Sequence, residues 1–174
     1  DNPKAKAPAP LIDSFGRIVT YLRLSVTDRC DLRCTYCMSE KMKFLPKSDL
    51  LDAAELEQVA RTFITRGVTK IRVTGGEPLV RRNILDIMTR LSKYLGKGQG
   101  LEELTLTTNG TQLAKHAEDL ARLGVKRINV SLDSVNPETF ARITRGGKLE
   151  QVLDGIAAAQ SHGLKIKLNV VVLK

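Results

Sequence analysis

Five short strand patterns alternate with amphipathic helix patterns along this 174-residue chain, and every strand carries one apolar and one polar face. The alternation predicts an α/β protein of about five βα units around a parallel sheet. The two-faced strands predict that the sheet curves, with its helices outside and a polar lumen inside, because parallel strands covered on both sides are nearly all apolar. The composition, 42% hydrophobic and 27% charged, is that of one globular domain able to bury a core without disulfides.

Residues 1–10, "DNPKAKAPAP", offer nothing to bury and are expected to form a disordered lead-in, leaving 11–174 as the folded domain. "TYLRLSV" (Thr20–Val26) predicts the first strand. After a cysteine-bearing loop, Leu56, Val59, Ala60 and Phe63 fall on one face of a helix over Ala53–Arg66, which Gly67 ends. "KIRVTG" (Lys70–Gly75) is the second strand, and Ile84, Ile87, Met88 and Leu91 mark a helix over Asn83–Leu95. Leu104–Thr108 is the third strand. Gln112–Leu123 is the next helix, closed by Gly124. "RINVSLD" (Arg127–Asp133) is the fourth strand. A short helix begins at Pro137 and a longer one covers Leu149–Ser161 before Gly163. "KIKLNVVVL" (Lys165–Leu173) is the fifth strand.

Successive strand residues point to opposite faces. One face takes Leu22 and Leu24, Ile71 and Val73, Leu104 and Leu106, Ile128 and Val130, then Ile166, Leu168 and Val170. The other takes Arg23 and Ser25, Arg72 and Thr74, Thr105 and Thr107, Asn129 and Ser131, then Lys167 and Asn169. An open sheet with a solvated second face is the other arrangement that fits. Arg23, Arg72 and Lys167 would repel one another in an empty lumen and make sense around a polyanion such as a triphosphate. The net charge of +9 points the same way. Only three Tyr, four Phe and no Trp are available as stacking platforms, which argues against nucleic acid. No apolar run reaches the length of a membrane span and no apolar signal core opens the chain, so a cytoplasmic protein is expected.

All three cysteines, Cys30, Cys34 and Cys37, lie in "TDRCDLRCTYCMSE" (Thr27–Glu40), just after the first strand. An odd, clustered set of thiols reads as metal-binding or catalytic in a reducing compartment. In parallel α/β folds the loops at the carboxyl ends of strands carry the chemistry. A structural zinc needs four ligands, and the only histidines, His116 and His162, fall within or at the end of predicted helices. Three thiolates suit a four-iron cluster that keeps one iron open; zinc, or a fourth ligand from a partner, is the alternative.

C-x3-C-x2-C with Tyr36 before the last cysteine, followed at the next strand end by "TGGEP" (Thr74–Pro78), resembles the radical S-adenosylmethionine (radical SAM) superfamily. "DSFGR", "YLRLSVTDRCDLRCTYCM", "KIRVTGGEPLVRR", "LTTNG", "INVSLDS" and "KIKLNVVVLK" resemble its GTP 3′,8-cyclase family, the molybdenum cofactor biosynthesis A enzymes, from about Leu11 onward. The resemblance implies a partial (β/α)6 barrel of incomplete TIM type. It implies that Cys30, Cys34 and Cys37 hold a [4Fe–4S] cluster, that Tyr36, Gly76 and Ser131 contact SAM, and that Arg23, Arg72, Thr107 and Lys167 contact GTP. It implies abstraction of the 3′ hydrogen of GTP, ring closure of the ribose onto C8 of guanine, and hand-over of 3′,8-cyclo-7,8-dihydro-GTP to cyclic pyranopterin monophosphate synthase. A reductant is required for the cluster.

The family barrel has six strands, followed by a C-terminal region with a second [4Fe–4S] cluster at the guanine. No cysteine follows Cys37 here, so the sequence is expected to be an N-terminal piece of such an enzyme, inactive in cyclisation by itself. Lys165–Leu173 is expected to be an open edge that invites self-association, for example as a homodimer. Another radical SAM enzyme, or a non-catalytic metal or nucleic-acid binding domain on the same fold, are the alternatives.

Overall fold

A computed structural model describes residues 9–172. The expected lead-in therefore lies outside the described residues except for Ala9 and Pro10, which are exposed. The element order is β1 (Tyr21–Ser25), α1 (Ala53–Ile64), β2 (Lys70–Thr74), α2 (Ile84–Ser92), β3 (Glu103–Thr108), α3 (Leu113–Arg122), β4 (Arg127–Ser131), α4 (Pro137–Thr144), α5 (Leu149–Ser161) and β5 (Lys165–Asn169). The strands form one parallel sheet in the order β1-β2-β3-β4-β5, and the sheet does not close on itself. No described helix is long and apolar enough to cross a membrane.

Helices α1 and α4 start at a capping side chain. Asp52 caps α1 by accepting hydrogen bonds from Ala54 N and Glu55 N, both at 2.8 Å, and the Glu55 carboxylate in turn accepts from Asp52 N at 2.8 Å. This reciprocal pairing satisfies donors that a helix start leaves open. Asn136 caps α4 through Thr139 N at 2.9 Å, with Pro137 at the first helical position. Arg145 ends α4 in the left-handed region, with φ 56°, a conformation uncommon for a residue with a side chain.

The core lies between the apolar strand face and the helices. Leu24, Ile71, Val73, Leu104, Leu106, Ile128 and Val130 are buried against Leu56 and Ala60 of α1, Ile87, Met88 and Leu91 of α2, Leu113 and Leu120 of α3, and Val152 and Ala159 of α5. The polar face is not simply a solvated one, since Thr105 and Asn129 at its middle are 0% and 1% exposed.

Two expectations need correction. The fifth strand stops at Asn169 rather than running to Leu173, which is outside the described residues. Leu168 and Val170 are 49% and 56% exposed instead of packing on a helix; on this edge strand the core cover reaches Ile166 and stops short of them. The segment before β1 also has structure that composition did not suggest. Ile12 and Ile18 form an antiparallel bridge around a turn in which Asp13 accepts from Phe15 N and Arg17 N, both at 2.9 Å. These backbone donors and the Arg17 guanidinium hold the Asp13 carboxyl below the usual carboxylate range.

Candidate active site

The strand register arranges the polar face in rows. Tyr21, Lys70 and Glu103 form the row at the amino ends of the strands. Glu103 pairs there with Lys70 at 2.6 Å and with Arg127 at 2.8 Å, a floor of compensated charge. Arg23, Arg72 and Thr105 form the next row. Thr107, Asn129 and Lys167 form the third, and Ser131 opposite Asn169 stands closest to the carboxyl ends. The Tyr21 ring lies 5.2 Å from the Arg72 guanidinium carbon. Among the described residues Arg23, Arg72 and Lys167 make no ion pair. Arg72 Nε, Thr107 Oγ1, Arg127 Nε and Asn129 Oδ1 are buried without a hydrogen-bond partner. Four such atoms on one surface are unusual, because buried polar groups are nearly always paired.

At the carboxyl end of the sheet sits the cysteine loop. It has no helix or strand of its own over 27–40 and is ordered by its neighbours. Gly76 N donates to Thr27 O and Glu77 N to Arg29 O, both at 2.7 Å. A Cβ on Gly75 would stand 2.4 Å from Thr27 O, and one on Gly76 would stand 2.4 Å from Arg29 O and 2.6 Å from Asp28 O. The glycines of "TGGEP" are thus required by close approach of two backbones within the chain, apart from any ligand. From the β3 end, Asn109 Nδ2 donates to Asp31 Oδ1 at 2.7 Å and lies 3.8 Å from Cys30 Sγ, and Thr111 Oγ1 donates to Asp31 Oδ2 at 2.6 Å. From the β4 end, Asp133 Oδ2 accepts from Tyr36 OH at 2.6 Å. After α4, Arg145 Nη1 donates to Met38 O at 2.9 Å and to Arg33 O at 3.2 Å, and its Nε pairs with Glu40 at 3.2 Å.

The backbone of Cys34 accepts from Cys37 N at 2.9 Å and Met38 N at 3.1 Å, a single turn that spans the last two thiols. Cys30 and Cys34 are partly buried, Cys37 is exposed, and all three are free. Burial pushes the Cys30 thiol up to about 11, and burial followed by the charge of Asp133 raises that of Cys34. These thiols stay protonated at neutral pH until a metal displaces the protons. Burial, then the hydrogen bond to Asp133, also raises the Tyr36 phenol.

Among the described residues, no group of three or more His, Cys, Asp or Glu side chains is placed to hold a single metal ion. A lone zinc demands every thiolate within about 2.3 Å of one point, whereas a cubane spreads three thiolates over three irons. His116 is in α3 and His162 caps α5, so neither belongs to a strand-end loop. The donor set fits a cluster better than zinc.

The sequence-derived candidates fall into two groups on one continuous surface. Cys30, Cys34, Cys37, Tyr36, Gly76 and Ser131 lie at the carboxyl end. Arg23, Arg72, Thr107 and Lys167 line the rows beneath. The side chain of Tyr36 is engaged by Asp133, which leaves its backbone as the part free to meet a ligand. Sequence reasoning passed over Glu77, 1% exposed, which accepts from Leu79 N at 2.9 Å, Thr108 Oγ1 at 2.7 Å and Asn109 N at 2.6 Å. Burial raises its carboxyl to about 7 against the pull of those three donors. Glu77, Asn109 and Asp133 stood inside quoted motifs; Arg145 carried no local signal. A cavity of about 740 Å³ lies elsewhere, walled by Leu95, Lys97, Leu101 and Lys126 at the amino ends of β3 and β4.

The GTP 3',8-cyclase of Rhizobium etli is 60% identical over 99% of this chain, and that of Bradyrhizobium diazoefficiens 58% identical over 99%. The chain spans about half the length of these curated relatives, 49% and 50% respectively. Among solved structures, SuiB of Streptococcus suis bound to S-adenosylmethionine superposes with a TM-score of 0.74 at 20% identity, covering 89% of this chain and 34% of that one. Native anSMEcpe with bound AdoMet gives a TM-score of 0.65 at 18% identity, covering 85% and 42%. At these identities the likeness shows the fold alone, a parallel α/β sheet of partial-barrel form. The family model described as "Radical SAM superfamily" matches residues 24–174. Since that match begins inside β1 and runs on through the cysteine loop and every later strand, the chain belongs to the radical SAM superfamily.

Proposed function

We propose that the protein to which this chain belongs is a radical SAM GTP 3′,8-cyclase, converting GTP to 3′,8-cyclo-7,8-dihydro-GTP in molybdenum cofactor biosynthesis. The observation that carries this reading is the set of cations, Arg23, Arg72 and Lys167, that make no ion pair among the described residues and share the polar face of the sheet. The name of the relatives supplies the polyanion that such a surface would hold.

In this reading Cys30, Cys34 and Cys37 hold a [4Fe–4S] cluster, and Tyr36, Gly76 and Ser131 hold SAM beside it. When bound and reduced by one electron, cluster and SAM supply a 5′-deoxyadenosyl radical. The chain's own residues do the placing. Arg23, Arg72 and Lys167 neutralise the triphosphate, Thr107 gives a neutral hydrogen bond, and the Glu103 floor keeps Lys70 and Arg127 from competing for it. Ser131, one row above, puts the cofactor end next to the sugar. Placement matters because misalignment by ~1 Å can cost about a hundredfold in rate. The protein needs an electron donor, and its product would pass to cyclic pyranopterin monophosphate synthase. A second [4Fe–4S] cluster is assigned to the part of the relatives beyond this sequence. Three free thiols suit a cytoplasmic setting.

Anaerobic reconstitution tests the reading. About four irons with matching sulfide per chain are expected, together with GTP binding stronger than guanosine binding. One zinc without sulfide, or equal affinity for nucleotide and nucleoside, would overturn it.

A further inference from the structure

The geometry points to Asn129 as a substrate-positioning residue, whose side-chain amide takes a hydrogen bond from a sugar hydroxyl of the nucleotide. The inference rests on the polar face being a nucleotide site, as proposed above. Asn129 is 1% exposed, yet its Oδ1 has no hydrogen-bond partner among the described residues. Its register neighbour Thr107 is open in the same way at Oγ1. A buried amide in the middle of a sheet is costly unless something completes it.

The chemistry of the row selects the group that would do so. Oδ1 is an acceptor and needs a donor, which a phosphate oxygen at neutral pH does not offer. A sugar hydroxyl gives a donor to Oδ1 and an acceptor to Nδ2. Position agrees. Arg23 and Arg72 stand one row toward the amino ends, and Ser131 stands two residues further along β4 toward the cysteine loop. A nucleotide whose phosphates meet the cations has its sugar at the level between. Lys167, the other register neighbour, is exposed and makes no ion pair among the described residues, so it can swing onto phosphate and open the way to the amide. Asn129 would then fix the sugar rather than attract the anion.

The test compares GTP with 2′,3′-dideoxy-GTP on the full-length, anaerobically reconstituted protein and its Asn129→Ala variant, by equilibrium dialysis. GTP affinity is expected to fall about tenfold in the variant, while dideoxy-GTP binds the two proteins alike and SAM binding is unchanged. If Asn129→Ala misfolds, Asn129→Ser carries the same comparison. Unchanged GTP affinity in a folded variant overturns the inference. So does an equal loss for both nucleotides, which would place the contact off the sugar. A wild type that binds neither nucleotide overturns the nucleotide reading itself and this inference with it.

Discussion

Glu77 makes the stability of this chain depend on pH in a calculable way. Its carboxyl is 1% exposed and raised by burial from 4.5 to about 7. An acid whose folded pKa lies above its unfolded value holds its proton more tightly when folded. Its favourable contribution is complete below the unfolded value and lost as pH rises through the folded one. The shift of roughly 2.5 pH units, at about 1.36 kcal/mol each, amounts to roughly 3 kcal/mol, most of it lost between about pH 5 and pH 8. For a chain of this size that lowers the melting temperature by roughly 5–10 °C. Glu77→Gln keeps an acceptor but has no proton to lose, so its pH profile should lack this component. The assay is thermal or urea unfolding of metal-free, reduced chain at several pH values, wild type against variant. Other titrating groups are common to both and drop out of the difference. Parallel profiles would show that the three donors, Leu79 N, Asn109 N and Thr108 Oγ1, stabilise the carboxylate enough to cancel its burial, and the reasoning would fail.

Cys34→Ala should bring reconstituted iron from about four per chain to near zero; iron and sulfide analysis with retained stoichiometry would remove Cys34 from the ligand set. Gly76→Ala forces a Cβ to 2.4 Å from a backbone oxygen that cannot move alone, so denaturation should show a loss of about 1–3 kcal/mol and the cluster should assemble poorly; wild-type stability would contradict the close approach. Arg72→Ala should weaken GTP by about 1.5–3 kcal/mol and guanosine much less, with iron content unchanged; calorimetry showing equal losses would move Arg72 away from the phosphates.

What was legible in the sequence is what repeats at short range. Alternation along "KIRVT" puts Ile71 and Val73 on one face and Arg72 on the other, and the structure has the first two at 0% exposure and Arg72 among the open polar atoms. The cysteine spacing and "TGGEP" are local strings and were readable as such. The support of the cysteine loop was not. Thr111 reaches Asp31 across 80 residues, Tyr36 reaches Asp133 across 97 and Arg145 reaches Met38 across 107, and no periodicity encodes such pairs. The exposure of Leu168 was missed for a related reason: alternation tells which face a residue takes but not whether an element arrives to cover it.

The sequential strand order carries a consequence for how the protein is made. Each strand pairs with the one synthesised just before it, so the sheet can grow by docking every βα unit as it leaves the ribosome. The cysteine loop is translated before its anchors, which emerge in turn, Asn109 and Thr111 first, then Asp133, and then Arg145. Until residue 109 is in place, the support the loop takes from later strand ends is its backbone contacts with Gly76 and Glu77. Iron delivered before Arg145 has docked would meet an unfinished cradle, and oxidants would meet less shielded sulfur. Metallation is expected once the anchors through Arg145 have docked, so the cell's supply of iron and sulfide acts on a loop already framed by β1 to β4.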